Sequence, residues 1–345
     1  MEHRVRIQTA VLGSLIGLAC VALVVRQVNL RQSWNTLGRL NGPYLIVSVA
    51  VFFVNLPLRA LRWQMIFPPS LRPRVGTCLI ALGIGNMANF LLPGRAGDIA
   101  RCVLLGNEAS LAGSSRALAT LAMEKILDGC ALIGMVLFAV WSLHPARWVL
   151  HLLQVSVFVF GGAIIAIVLL RYRTQLLSRY AERLLEFLHF PFLAKKVRDS
   201  LLSFTEGLSA VSSAPQMLAL SFLTAGIWFT EAVLIWGLAG ALDLGISIRS
   251  AVIASAVLGL GLMIPAAPGG LGTYELFGTE AFKLTGIAAS GALALTVMIH
   301  AWVYLANILA GMFLLALKGM SLTQLRRRIR TAEPSTVSKQ ETIEA

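Results

Sequence analysis

The sequence predicts an all-α polytopic membrane protein of about six full transmembrane helices and two re-entrant broken-helix hairpins. Composition is the first observation: of 345 residues, 57% are hydrophobic and 13% charged, where a soluble domain carries about 25% charged residues. The second is a mean hydropathy of +0.78. The third is that several apolar runs reach the roughly 20 residues needed to cross a bilayer as a helix. A transmembrane barrel would alternate apolar and polar residues instead.

Apolar segments lie at about 7–25, 43–66, 75–92, 117–142, 148–170, 216–240, 250–265 and 287–317. The first follows the basic residues Arg4 and Arg6 and passes Leu18-Ala19-Cys20. A cleavage site there is an alternative, but the run stays apolar through Val25, so an uncleaved first helix is expected. Segments 75–92 and 250–265 are short, contain glycine and run into breaks. The first break is Leu92-Pro93-Gly94-Arg95-Ala96-Gly97-Asp98, and the second is Ile264-Pro265-Ala266-Ala267-Pro268-Gly269-Gly270-Leu271-Gly272.

Lys/Arg bias decides what these two segments do. If both enter and leave on one side, the basic loops 59–74, 93–116 and 171–215 and the tail after 318 share the cytoplasm with both termini. Only Arg26, Arg31, Arg39, Arg147, Arg249 and Lys283 then face outward. A full crossing by 75–92 would instead expel the basic stretch 171–215. The breaks also match each other, Pro93-Gly94-x-x-Gly97 with Pro268-Gly269-x-x-Gly272, each followed by an acid, Asp98 or Glu275. Their hairpins open to opposite sides, which is the pattern of an inverted repeat with its site near the midplane. The alternative is that Pro and Gly only punctuate loops.

Residues 1–320 therefore read as the integral domain. Within it, 171–215 is a cytoplasmic amphipathic segment, with Leu176, Leu177, Tyr180, Leu184, Leu185 and Leu188 at helical spacing. It serves as a connector or a lipid-sensing surface. Residues 321–345 read as a basic, then polar, disordered tail. The net charge of +13, from 29 Lys+Arg against 16 Asp+Glu, follows from loops facing anionic headgroups rather than from nucleic acid.

Ionisable groups inside a membrane are costly, so each needs a partner or a purpose. Arg59 and Arg62 share a helix face beside Trp63. They read either as snorkelling anchors with an interfacial Trp63 or as a guanidinium pair for a lipid phosphate. In the first hairpin, Asn86, Asn89, Arg95 and Arg101 surround the start of a half-helix that Asp98 can cap, an arrangement suited to an anion. Glu124 and Asp128, four apart on one face, read as partners for Arg95, Arg101 or Arg59, with proton coupling as the sharper option. In the second hairpin Pro265, Pro268, Gly269, Gly270 and Gly272 supply the bend, while Tyr274 and Glu275 follow it. Glu231 and His300 each stand alone near the middle of a helix. Glu231 reads as a counter-charge, and His300 as a structural hydrogen-bonder.

Cys20, Cys78, Cys102 and Cys130 lack CxxC spacing, so neither a zinc site nor a disulfide framework is expected. Walker, GxSxG, HExxH and dinucleotide motifs are missing. No metal, cofactor or catalytic residue is expected.

Four motifs in order resemble the lysylphosphatidylglycerol synthase transmembrane-domain family, also called flippase-like. They are Arg59-x-x-Arg62-Trp63; Asn89-x-x-Leu92-Pro93-x-Arg95-x-Gly97-Asp98-x-x-Arg101; Glu124-x-x-x-Asp128; and Ile264-Pro265-x-x-Pro268-Gly269-Gly270-Leu271-Gly272-x-x-Glu275. Asp98 stands where the family usually has Glu, which keeps the charge. The resemblance spans about 7–317. It implies the lipid-translocating half without the aminoacyl-transferase half. The expected function is movement of a polar or anionic (glyco)lipid across or from the inner membrane. Arg59, Arg62, Asn89, Arg95 and Arg101 would bind the headgroup. Asp98, Glu124, Asp128, Glu231 and Glu275 would be counter-charges or proton carriers, and Pro93, Gly94, Gly97, Pro265, Pro268, Gly269, Gly270 and Gly272 the gate. The alternatives are a membrane subunit of an enzyme for aminoacyl or glycosyl transfer to lipid, or a scaffold for a lipid-synthesising partner.

Overall fold

A computed structural model describes residues 41–92, 96–105, 111–142, 147–187, 213–262 and 270–325, with a few isolated positions besides. The elements are α1 Gly42–Ile66, a 3-10 turn at Pro69–Leu71, α2 Val75–Leu91, α3 Ala96–Leu105 and α4 Leu111–Ser142. They continue as α5 Arg147–Phe187, α6 Ala214–Ala241, α7 Ile248–Gly261, α8 Thr273–Lys283 and α9 Ala289–Leu317. No strand occurs among the described residues.

Four helical stretches are long and apolar enough to cross a membrane: α1, the Arg147–Leu170 part of α5, α6 and α9. They coincide with the expected spans 43–66, 148–170, 216–240 and 287–317. The expected span 7–25 lies outside the described residues. Over the expected span 117–142, α4 runs for 32 residues but carries Glu124, Lys125 and Asp128. The short apolar segments are real helices of 17 residues in α2 and 14 in α7. At 1.5 Å per residue they reach about 25 and 21 Å, less than the roughly 30 Å hydrocarbon core.

Beyond Leu170, α5 continues through a non-helical residue, Arg173 (φ −120°, ψ 20°). Tyr172, Leu176 and Tyr180 are four apart and exposed along the continuation, at the start of the expected amphipathic segment. The rest of that segment lies mostly outside the described residues, as do 326–345 of the expected tail.

Helix starts follow local chemistry. Ser213 Oγ accepts the Gln216 N–H at 3.4 Å to open α6, and Ser247 Oγ accepts the Ser250 N–H at 3.1 Å to open α7. At α8 the cap is Gly272, held at φ +86°, a left-handed conformation that glycine adopts without steric cost. The Gly272 N–H donates to Glu275 Oε2 at 2.6 Å, the reciprocal half of a capping box.

Helices α1 and α6 run antiparallel, and the Asn41 N–H reaches the Ala241 carbonyl at 2.9 Å. Helix α2 packs against α1, α3 and α9, while α7 packs against α4, α6 and α8. Among the described residues two large apolar cores result, with a small third cluster of Ile66, Leu127 and Leu220. Leu56, Trp63, Ile84, Met87 and Leu314 fill the one around α2 and α3. Leu132, Leu238, Val257, Phe282 and Leu295 fill the one around α7 and α8. Helix α9 serves both cores. Its Asn307 Oδ1 accepts from Asn86 Nδ2 at 3.1 Å, and its Tyr304 hydroxyl donates to the Phe90 carbonyl at 2.9 Å.

Candidate functional site

The buried charges meet where α1, α3, α4 and α6 converge. Arg62 is fully buried, and its guanidinium forks onto Asp128: Nη1 to Oδ1 at 2.6 Å and Nη2 to Oδ2 at 3.2 Å. Nη1 also donates to Thr224 Oγ1 at 3.2 Å, and the Trp228 indole donates to Asp128 Oδ1 at 3.1 Å. This pairing is bidentate and charge-assisted, the strongest arrangement open to a carboxylate. Four polar contacts from three helices therefore fix one carboxylate–guanidinium pair.

Glu124 lies one turn before Asp128 and links two arginines. Its Oε1 is 3.6 Å from Arg62 Nη2, while its Oε2 is 3.1 Å from Arg101 Nη1. Arg101 is also 3.5 Å from Asp98 Oδ1, which accepts from Asn89 Nδ2 at 3.2 Å. The Arg101 guanidinium sits 5.0 Å over the Trp63 ring, a cation–π contact. Trp63 in turn donates to Thr120 Oγ1 at 3.0 Å. The chain Asp128–Arg62–Glu124–Arg101–Asp98–Asn89 thus ties α2 and α3 to α1, α4 and α6. Within it Arg62 Nε, Arg101 Nε and Asn89 Oδ1 are buried with no hydrogen-bond partner, an exception among buried polar atoms.

Arg59, one turn before Arg62, faces α6. Its Nη2 is 2.9 Å from Glu231 Oε1, and its Nε donates to Asn55 Oδ1 at 2.8 Å. Asn55 Nδ2 bonds Thr230 Oγ1 at 2.7 Å. The expectation that Glu231 stands alone is therefore corrected: its partner comes from α1, which no local pattern within α6 could reveal. Both side chains are partly solvated, at 21% and 27% exposure, so breaking this pair costs less than breaking Arg62–Asp128. Exchanging the charges, with Arg59→Glu and Glu231→Arg together, is expected to recover most of the melting temperature lost by either change alone. Thermal unfolding of detergent-solubilised protein checks it.

A separate constellation joins α8 to α9. His300 Nδ1 of α9 is 2.5 Å from Glu275 Oε1, so this histidine has an acidic partner rather than standing alone. Tyr274 stacks on the imidazole with centroids 4.1 Å apart and rings 10° from parallel. Glu275 thus caps α8 through one oxygen and meets α9 through the other.

Of the sequence-expected site residues, the structure brings together Arg59, Arg62, Asn89, Asp98, Arg101, Glu124, Asp128 and Glu231 on the first side. Glu275, Gly270 and Gly272 lie together on the second. Arg95, Pro93, Gly94, Pro265, Pro268 and Gly269 lie outside the described residues. Sequence reasoning missed Asn55, Thr224 and Trp228, whose neutral types carry no motif. It also offered Trp63 an interfacial anchor's role, whereas the ring is fully buried.

The model of the lysylphosphatidylglycerol synthase transmembrane region matches residues 10–311. The chain belongs to that family. Among its relatives is a UPF0104 membrane protein of Methanocaldococcus jannaschii, 25% identical over 236 residues, covering 65% of this chain and 90% of that protein. Another is the glycosyltransferase AglD of Haloferax volcanii, 23% identical over 351 residues, covering 91% of this chain. This chain spans 55% of that glycosyltransferase's length. No solved structure matches. Family membership and the apolar helices together make this a multi-pass membrane protein.

Proposed function

We propose that the protein translocates a phosphate-bearing lipid between leaflets of the inner membrane, with both termini cytoplasmic. In this reading α2–α3 and α7–α8 are re-entrant hairpins of an inverted repeat, entering from opposite sides and meeting near the midplane. Their breaks, from Pro93 to Gly97 and from Pro265 to Gly272, are the gates.

The observation that carries the reading is the buried pair of arginines with unmet Nε donors beside the first break. The described cluster holds Arg59, Arg62 and Arg101 against Asp98, Glu124, Asp128 and Glu231. It has no surplus of positive charge, so a phosphate would bind by exchange. The headgroup takes Arg101, together with Arg95 at the break, while the released carboxylates fall back on Arg62. Such an exchange leaves Arg62 bridging the released carboxylates, where a low-dielectric site penalises an unpaired charge. It also lets binding loosen the hairpin from α4, which is what opening a gate needs.

Arg101→Lys keeps the charge but loses the fork. It is expected to slow translocation by about ten- to a hundred-fold, the loss of one charge-assisted hydrogen bond or more. Reconstituted initial rates measure it. In cells lacking the protein, a lipid is expected to change leaflet without changing in total amount.

A second reading is favoured by the relative named as a glycosyltransferase: the chain could act as the membrane part of an enzyme that modifies a lipid. In that case a lipid species disappears from the deletion strain rather than being redistributed. A scaffold for a lipid-synthesising partner predicts that Arg95→Ala and Glu124→Ala retain function at normal expression.

A further inference from the structure

We propose that the Glu275–His300 pair is the proton-carrying site of the transport cycle, latching the second hairpin to α9 when His300 is protonated. The proposal rests on the translocation reading and supplies its energy source.

Glu124, Asp128 and Glu231 each face a guanidinium, which does not release its proton in a protein. Asp98 lies beside Arg101. Among the described carboxylates paired between helices, Glu275 is the one whose basic partner is an imidazole, the side chain type whose ordinary titration lies nearest neutrality. The arginine pairs therefore hold fixed charge, and this pair can carry a mobile proton.

Geometry makes the proton consequential. Glu275 is the first-turn acid of α8, and its Oε2 holds the N–H of Gly272, the left-handed residue that ends the break. Its Oε1 meets His300, so one carboxylate joins the hinge of the hairpin to α9. The same helix joins the first hairpin at Phe90 through Tyr304, whose ring lies edge-on to His300 with centroids 5.6 Å apart. Helix α9 therefore contacts both Phe90 near the end of α2 and, through Glu275, Gly272 at the start of α8. Among the described residues, the titratable groups facing the pair include Tyr274, stacked on the imidazole, Tyr304 on α9, and Glu231 on α6, within electrostatic reach of Tyr274. Glu231 is itself neutralised by Arg59.

The sign follows. With the imidazole charged, the pair is an ion pair and the latch is shut. When the proton leaves for water, His300 becomes neutral. Glu275 then loses the charge that His300 supplied, and α8 loosens from α9. One proton taken from water on one side and returned to water on the other accompanies each cycle. No other bond changes.

Two measurements on the full chain test this. In proteoliposomes of headgroup-labelled phospholipid, an imposed pH gradient is expected to speed translocation by wild type and not by His300→Gln. Movement by wild type that ignores the gradient, or a gradient response kept by His300→Gln, overturns the proposal while leaving translocation intact. The second measurement does not depend on transport. Thr273→Cys is placed in a background with Cys20, Cys78, Cys102 and Cys130 replaced by Ala, and its thiol-labelling rate is followed between about pH 5 and 9. Thr273 is buried beside the hinge. The ratio of the rate in otherwise wild-type protein to that with His300→Gln cancels the thiol's own titration. That ratio is expected to rise at least about ten-fold with pH, as one charge-assisted hydrogen bond is weakened. A flat ratio overturns the latch even where no tested lipid moves. A rising ratio supports the latch in that same case, with the translocation reading then the one that falls.

Discussion

Arg62→Ala is expected to destabilise the protein by about 3–5 kcal/mol, the cost of stranding one partner of a buried ion pair. Asp128 would keep only the Trp228 indole at 3.1 Å, and Glu124 would lose its second arginine. Against a typical stability of about 5–15 kcal/mol, that loss reduces the yield of folded protein sharply. Joint replacement separates folding from function. Arg62→Met with Asp128→Leu removes both charges and fills the volume, so most of the lost stability is expected to return. Translocation is not expected to return with it, because the fallback partner for the released carboxylates is gone. Thermal unfolding in detergent and reconstituted rates, measured on the same preparations, give the two readouts.

Gly97→Ala is the second large effect. A Cβ there would lie 1.9 Å from the Gly85 carbonyl oxygen and 2.6 Å from the Asn89 backbone nitrogen. Both obstacles are backbone, so no side chain can turn aside and α3 must move away from α2. Overpacking ordinarily costs about 1–3 kcal/mol, and a rigid obstacle puts this change at the upper end or beyond. The displacement also carries Arg101 away from Glu124, so translocation is expected to fall further than stability alone explains. Gly85→Ala, 2.8 Å from the Gly97 carbonyl, is expected to behave alike but more mildly. Gly76, in the same helix α2, has nothing within 4 Å of its added Cβ. Gly76→Ala is therefore expected to be neutral, or to gain about 0.5–1 kcal/mol from helix propensity. Unfolding midpoints of the three variants test the ordering.

What the sequence revealed and what it hid follow from range. Apolar runs made α1, α6 and α9 legible because a span is a local property of about 20 residues. The shared face of Glu124 and Asp128 was legible for the same reason, since helical spacing is local. Their partners were not. Arg62 and Asp128 are separated by 66 residues, Arg59 and Glu231 by 172, and a charge announces a need for a partner without naming it. Sequence reasoning offered Arg95, Arg101 or Arg59 for the two acids. Arg101 does take Glu124, while Asp128 goes to Arg62. Trp63 misled because tryptophan beside arginine at a helix end fits a membrane interface equally well. Here the ring is instead the floor under Arg101. Glu275 and His300, 25 residues apart, were read separately as a cap and a structural histidine. Only the packing of α8 on α9 joins them.

The central claim is that buried arginines beside a hairpin break carry a lipid phosphate across the membrane. Its most direct test is translocation in proteoliposomes by the purified full chain. The probes are headgroup-labelled anionic and cationic phospholipids and a phosphate-free lipid with the same chains, with Arg95→Ala as the control. The account predicts that wild type moves phosphate-bearing lipids, leaves the phosphate-free lipid in place, and loses movement with Arg95→Ala. Folded wild-type protein that moves none of these lipids, or moves the phosphate-free one as fast as the others, would contradict it.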